Sequence, residues 1–208
     1  MRHWLSILLF LPTCAGHATA PSETRRTVVF LGDSLTAGLG LPLEQSFPSL
    51  IEARLRAERR PWKVVNAGVS GDTTAGGLAR LDWIYRQKVD VLVVALGAND
   101  GLRGLPAVQT EQNLRGILQR ARREGSRVLL AGIRLPDNFG PRAQARFAAI
   151  YPRLAAEFRV PLVPFLLEGV AMEPGLNQPD GIHPNAEGAR RVADHLWKKL
   201  GPMLSGPR

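Results

Sequence analysis

The sequence predicts a flavodoxin-like three-layer α/β/α sandwich, with a five-stranded parallel sheet in the order 2-1-3-4-5. Two observations predict it. Strand-like and helix-like segments alternate five times along the 208 residues, and that alternation specifies a parallel sheet with helices on both faces. The clearest strand, Val91-Leu92-Val93-Val94-Ala95-Leu96, has no polar alternation, as expected of a strand covered on both sides. With five strands, the doubly wound order 2-1-3-4-5 is the simplest arrangement, and its ligands bind beyond the carboxyl ends of the strands.

Thr27-Val28-Val29-Phe30-Leu31 is a short β-branched, apolar run and reads as the first strand. Glu44 to Arg59 reads as a helix, with Phe47, Leu50, Ile51, Leu55 and Ala57 on its buried face and Pro61 ending it. Trp62 to Asn66 is the second strand, and Ala67 to Thr74 a glycine-rich loop. Asp72 or Thr73 is placed to cap the next helix, which carries Leu78, Leu81, Trp83, Ile84 and Tyr85. Val89 to Leu96 is the central strand, and Gly97 to Gly101 ends it in a turn. Pro106 fits a helix start, Leu114, Ile117, Leu118 and Ala121 the stripe of that helix, and Gly125 its stop. Arg127 to Ile133 is the fourth strand, followed by an irregular link from Leu135 to Pro141. Phe147, Ile150, Tyr151, Leu154 and Phe158 form the next stripe, in which Pro152 requires a kink or a fresh helix start. Val160 to Phe165 is the fifth strand, its prolines marking an edge position. A loop from Glu168 to Pro184 leads into a last helix with Ala189, Val192, Ala193, Leu196 and Leu200 on one side, then a frayed tail from Ser205 to Arg208.

Residues 1–20 stand apart. Arg2, an apolar run from Trp4 to Pro12 and the small residues ending in Ala18-Thr19-Ala20 follow the order of a cleaved secretory signal. Cleavage after Ala18 or after Ala20 fits. An uncleaved anchor, an ordinary buried helix, and lipidation of Cys14 are the alternatives. Residues 21–208 then form one domain, periplasmic or secreted, with no stable membrane anchor in the mature form. Cys14 is the single cysteine, so the mature chain has no disulfide and no thiolate chemistry. No histidine or cysteine cluster has metal-ligand spacing. Net charge is +9. The arginines are scattered over several helix faces, with no aromatic-interleaved tract, which speaks against nucleic acid. A monomer without metal or cofactor is expected.

Ser34, Gly71 and Asn99 follow the first three strands, and Asp180-Gly181-Ile182-His183 follows the fifth. The topology therefore gathers them at one sheet edge. A serine hydroxyl is a weak nucleophile until a base activates it. Asp180 and His183 are three residues apart, a spacing that lets the carboxylate meet one ring nitrogen and leaves the other for Ser34. His195 lies inside the last helix, away from the strand ends, and His3 and His17 lie in the signal segment. The backbone N–H groups of Ser34 and Gly71 and the amide of Asn99 are candidate oxyanion donors. For Asn99-Asp100-Gly101 a plain turn is an equal reading. Leu102 to Pro106 and Leu135 to Phe139 are the nearest apolar loops, so Leu102, Leu135 and Pro136 are candidate substrate-binding residues; surface packing explains them equally well.

Four stretches resemble the sequence blocks of the SGNH (GDSL) hydrolase superfamily: Gly32-Asp33-Ser34-Leu35, Gly68-Val69-Ser70-Gly71-Asp72-Thr73, Gly97-Ala98-Asn99-Asp100 and Asp180-Gly181-Ile182-His183-Pro184. The resemblance covers about residues 27–200. Asn99 to Gly104, Ile133 to Pro136 and Ile150-Tyr151-Pro152 are most similar to the bacterial periplasmic thioesterase I, lysophospholipase and arylesterase group. Gly-Leu-Gly at 38–40 departs from the pattern beside the nucleophile. The resemblance implies Ser34 as nucleophile, His183 as base, Asp180 as its orienter and an oxyanion hole of Ser34, Gly71 and Asn99. It also implies cofactor-free hydrolysis of acyl esters and thioesters. A carbohydrate O-acetylesterase is the alternative within this chemistry, and a non-catalytic anion-binding protein the alternative outside it.

Overall fold

The computed structural model describes residues 25–205. The expected signal segment, with Cys14, His3 and His17, lies outside the described residues. A parallel sheet in the order 2-1-3-4-5 organises the fold, as the strand count predicts. Its strands are β1 (Arg26–Gly32), β2 (Trp62–Gly68), β3 (Val91–Ala95), β4 (Arg127–Ala131) and β5 (Leu162–Val163). β1 lies between β2 and β3, with Gly32 level with Gly68 on one side and with Ala95 on the other. Val28 to Leu31 and Val91 to Ala95 are buried along their whole length, which is why these runs carry no polar alternation.

Nine helices surround the sheet among the described residues: α1 (Ser34–Ala37), α2 (Phe47–Ala57), α3 (Thr74–Ala79), α4 (Leu81–Ile84), α5 (Ala98–Leu102), α6 (Ala107–Arg123), α7 (Pro141–Ala148), α8 (Ile150–Phe158) and α9 (Ala186–Ser205). Right-handed crossovers place α2 and α9 on one face and α3, α6 and α8 on the other. The packing agrees: α2 lies against α9, α3 against α6 and α6 against α8. Leu114, Ile117, Leu118 and Ala121 of α6 are buried at helical spacing, and Gly125 adopts the left-handed conformation just beyond its end.

Several boundaries differ from the sequence expectation. α2 begins at Phe47 rather than Glu44, because Leu43–Gln45 forms a 3₁₀ turn and Ser46 then caps the helix. Ala57, expected on the buried face, is exposed at its last turn. α3 and α4 are separate helices broken at Arg80, and the break turns Trp83 out to solvent. Ala98–Leu102 is a short helix rather than a plain turn. Pro152 sits in the first turn of α8, where its missing N–H costs nothing. β5 shrinks to two residues between Pro161 and Pro164. α9 runs on through Pro202 to Ser205, which is helical rather than part of a tail.

Candidate active site

Gly32 ends β1, and the chain turns at once into α1. Asp33 caps that helix, its Oδ1 accepting from the Leu35 N–H at 3.0 Å. Ser34 is the first helical residue and stands at the carboxyl end of the sheet. Gly38 closes the four-residue helix in the left-handed conformation. A Cβ at Gly68 would run into the Ala37 backbone, so α1 can double back over the end of β2 only because glycine stands there.

The second partner arrives from the far end of the chain. Asp180 Oδ1 accepts from the backbone N–H groups of Ile182 and His183 at 2.9 and 3.0 Å. Its Oδ2 lies 2.6 Å from His183 Nδ1, and His183 Nε2 lies 2.9 Å from Ser34 Oγ. The Asp180 contact selects the tautomer with the proton on Nδ1, leaving Nε2 as an acceptor toward the serine. Bonds from the His183 backbone N–H, the His183 ring and the Ile182 N–H hold the Asp180 carboxyl down at about 2. Asp180 therefore stays ionised through neutral and mildly acidic pH.

Gln178 ties the site's loops together, a contact that spacing did not mark. Its side-chain amide donates to Leu39 O at 2.7 Å and to Pro184 O at 3.0 Å, tying the histidine loop to the loop after Ser34. A Cβ at Gly40 would collide with that amide, which gives the Gly-Leu-Gly at 38–40 a physical reason.

Of the expected oxyanion donors, Asn99 lies in α5, and its Nδ2 donates one hydrogen to Asp72 O at 2.9 Å. The second hydrogen of that amide remains for a ligand. Gly71 has φ +80°, and its carbonyl accepts from Arg103 Nη2 at 2.8 Å. His195 is not at the site: its Nε2 lies 3.0 Å from the Phe165 carbonyl.

Beside Ser34, His183 and Asp180 lies a groove of about 1030 Å³. Leu102, Leu135 and Pro136 line it together with Leu35, Ala98, Phe139, Ala148 and Ile182. Its walls run from the nucleophile's helix to the Asp180 loop, and most of them are apolar.

Asp33 contrasts with Asp180. It is fully buried, and its Oδ2 has no hydrogen-bond partner among the described residues. Burial pushes its carboxyl up to about 6, against the Leu35 N–H bond that pulls it down. An acid raised by folding favours the folded state below its unfolded value of 3.8, and this contribution is lost as pH rises through about 6. Asp33→Asn removes the titration but keeps an acceptor for the cap. Between pH 4 and pH 7 the parent should lose up to roughly 3 kcal/mol relative to this variant. Urea unfolding of both proteins at the two pH values checks it, and a pH-independent gap would contradict the burial argument.

The site can be set beside known proteins. The model of the GDSL-like Lipase/Acylhydrolase family matches residues 30–191. "Esterase TesA" of Pseudomonas aeruginosa is 46% identical over 180 residues, covering 86% of this chain and 90% of the relative. "Thioesterase 1/protease 1/lysophospholipase L1" of Escherichia coli is 42% identical over 203 residues, covering 97% and 94%. The crystal structure of the psychrotrophic esterase EstA from Pseudoalteromonas sp., inhibited by monoethylphosphonate, superposes with a TM-score of 0.82 at 29% identity, covering 87% of this chain and all of that one. With the family model spanning all four site loops, and relatives alike over nearly their whole length, the chain belongs to the GDSL-like lipase/acylhydrolase (SGNH hydrolase) family.

Proposed function

We propose that this carboxylic ester hydrolase cleaves acyl esters and thioesters, among them aryl esters, lysophospholipids and acyl-CoA, through an acyl-enzyme on Ser34. One observation carries the reading: the continuous Ser34–His183–Asp180 chain of contacts at 2.9 and 2.6 Å. His183 Nε2 takes the hydroxyl proton as Ser34 Oγ attacks the acyl carbon. The oxyanion accepts from the N–H groups of Ser34 and Gly71 and from the free amide hydrogen of Asn99. Ionised Asp180 stabilises the imidazolium, which then protonates the leaving alcohol or thiol. Water, giving its proton to His183, attacks the acyl-enzyme; the acid departs and Ser34 regains its proton.

The names of the relatives, an esterase and a thioesterase/lysophospholipase, support this substrate class. Inhibition of the EstA relative by a phosphonate is the behaviour expected of a protein with an activated nucleophile. The groove is far larger than an acetyl group needs and favours longer acyl chains over a carbohydrate O-acetylesterase. Membership of a hydrolase family argues against the non-catalytic, anion-binding alternative.

We also read residues 1–20 as a cleaved export signal ahead of a single monomeric domain in the periplasm or outside the cell. Among the described residues no helix is long and apolar enough to cross a membrane. Mass spectrometry of the exported chain should find an N-terminus at Thr19 or Pro21; an intact Met1 refutes cleavage.

Ser34→Ala should keep the fold and lower kcat by at least ~10⁴ on p-nitrophenyl esters. A fluorophosphonate probe should label the parent at Ser34 and leave the variant unlabelled. Hydrolysis by the variant at the parent rate would remove Ser34 from the mechanism. Leu135→Ala should lower kcat/KM about tenfold for long-chain esters while barely changing acetate esters, since the lost contact is apolar and lies along the chain. An unchanged ratio of long to short esters would take Leu135 out of the acyl site.

A further inference from the structure

The three oxyanion donors stand on three different strand ends. The backbone ladders that align those strands stop at Gly32, Gly68 and Ala95. Beyond that level, other contacts must hold the donors in one geometry, and an oxyanion hole tolerates little: donors misplaced by about 1 Å cost of order 10²-fold in rate.

One side chain joins the first loop to the second directly, and through the second reaches the third. Arg80, at the break between α3 and α4, donates from Nε to Asp72 Oδ2 at 2.8 Å and from Nη2 to the Gly32 carbonyl at 3.0 Å. The Gly32 carbonyl precedes Asp33 and Ser34 and also accepts from the Val69 N–H at 3.1 Å. Asp72 follows Gly71, and its own carbonyl receives the Asn99 amide at 2.9 Å. The guanidinium thus ends one connected path: Ser34's strand end to Arg80, Arg80 to Asp72, and Asp72 to both Gly71 and Asn99. Arg80 and Asp72 are 20% and 11% exposed, so the pair is shielded from solvent, unlike a surface ion pair of negligible consequence. The path has a parallel strut deeper down. Asp100 accepts from the Thr74 N–H at 2.8 Å and from Thr74 Oγ1 at 2.5 Å, fixing the second loop to the third. That strut does not reach the nucleophile's loop; Arg80 does.

We infer that Arg80 is a positioning residue for hydrolysis: its guanidinium holds the Asp72 loop against the Gly32 carbonyl and so sets Gly71 and Asn99 relative to Ser34. The inference rests on the oxyanion assignment above. Arginine suits the task because its planar fork serves a carboxylate and a carbonyl in fixed directions, whereas a lysine ammonium is a single point of charge.

The test is a double-mutant cycle on the full chain with p-nitrophenyl butyrate, run well below every variant's melting transition. Arg80→Ala should lower kcat ~10–100-fold with KM within about twofold, and Arg80→Lys should fall between it and the parent. Asn99→Ala should lower kcat by ~10² or more. If Arg80 acts through the donors, the double variant falls at least about tenfold short of the product of the two single losses. Losses that multiply fully, or Arg80→Ala at the parent kcat, overturn the positioning role and leave the oxyanion assignment standing. Asn99→Ala at the parent kcat overturns both. Should Arg80→Ala melt below the assay temperature, Asp72→Asn breaks the same ion pair, keeps the backbone carbonyl that receives Asn99, and carries the same expectations through the cycle.

Discussion

The site depends on one constraint: β1 runs parallel between β2 and β3, and all three end at the same level. Gly32 pairs with Gly68 on one flank and with Ala95 on the other. The register is imposed by burial. Val28 to Leu31 and Val91 to Ala95 are enclosed on both faces, so a slip would move the apolar runs out of the layer that encloses them. Once the strands are fixed, the residues just beyond them are neighbours whatever their distance in sequence. Ser34, Gly71 and Asn99 come together in this way, and the loop after β5 brings His183 to a serine 149 positions earlier.

The ladder brings the loops together but does not orient them. Small residues and side-chain ties finish the work. Glycine at 68 admits the backbone of α1, and glycine at 40 admits the Gln178 amide that fastens the histidine loop to the nucleophile's loop. Thr74 and Asp100 join the second loop to the third in a buried contact that Thr110 also reaches. The Thr74–Asp100 tie takes polar groups out of water, and the full pairing around Asp100 is what makes that burial tolerable.

This division explains what was legible in the sequence. Strand order follows from alternation and from runs without polar residues, both long-range patterns, and it was readable. The meeting of Ser34, His183 and Asp180 was readable because topology left few other partners for a serine at a strand end. The ties were not. A hydrogen bond between Arg80 and Gly32, or Gln178 and Leu39, has no period and no fixed spacing. Short elements escaped for a related reason. α1 and α5 span four and five residues, too few for a helical stripe. Trp83 matched the expected stripe only while α3 and α4 were read as one helix; the break at Arg80 changes the phase, and its side chain turns to solvent. Ser46 caps α2, and the 3₁₀ turn Leu43–Gln45 just ahead of it lengthens the helix-like run of sequence.

The two aspartates near Ser34 differ in how well each can support the histidine. Asp33 is next to the nucleophile in sequence, yet it is enclosed, has one oxygen without a partner and is pushed up to about 6. Asp180 is open to solvent, takes three N–H donors and is held at about 2. A carboxylate that supports an imidazolium must be ionised at the moment the ring gains its proton. A group titrating near 6 is partly neutral in mildly acidic solution and loses that support, whereas one held near 2 keeps its charge throughout. Solvent exposure weakens the attraction between Asp180 and the ring, and the 2.6 Å contact with its two backbone bonds compensates by fixing direction. Asp33 does a different job. Its cap starts α1, and α1 is what turns Ser34 out of the strand and into reach of His183.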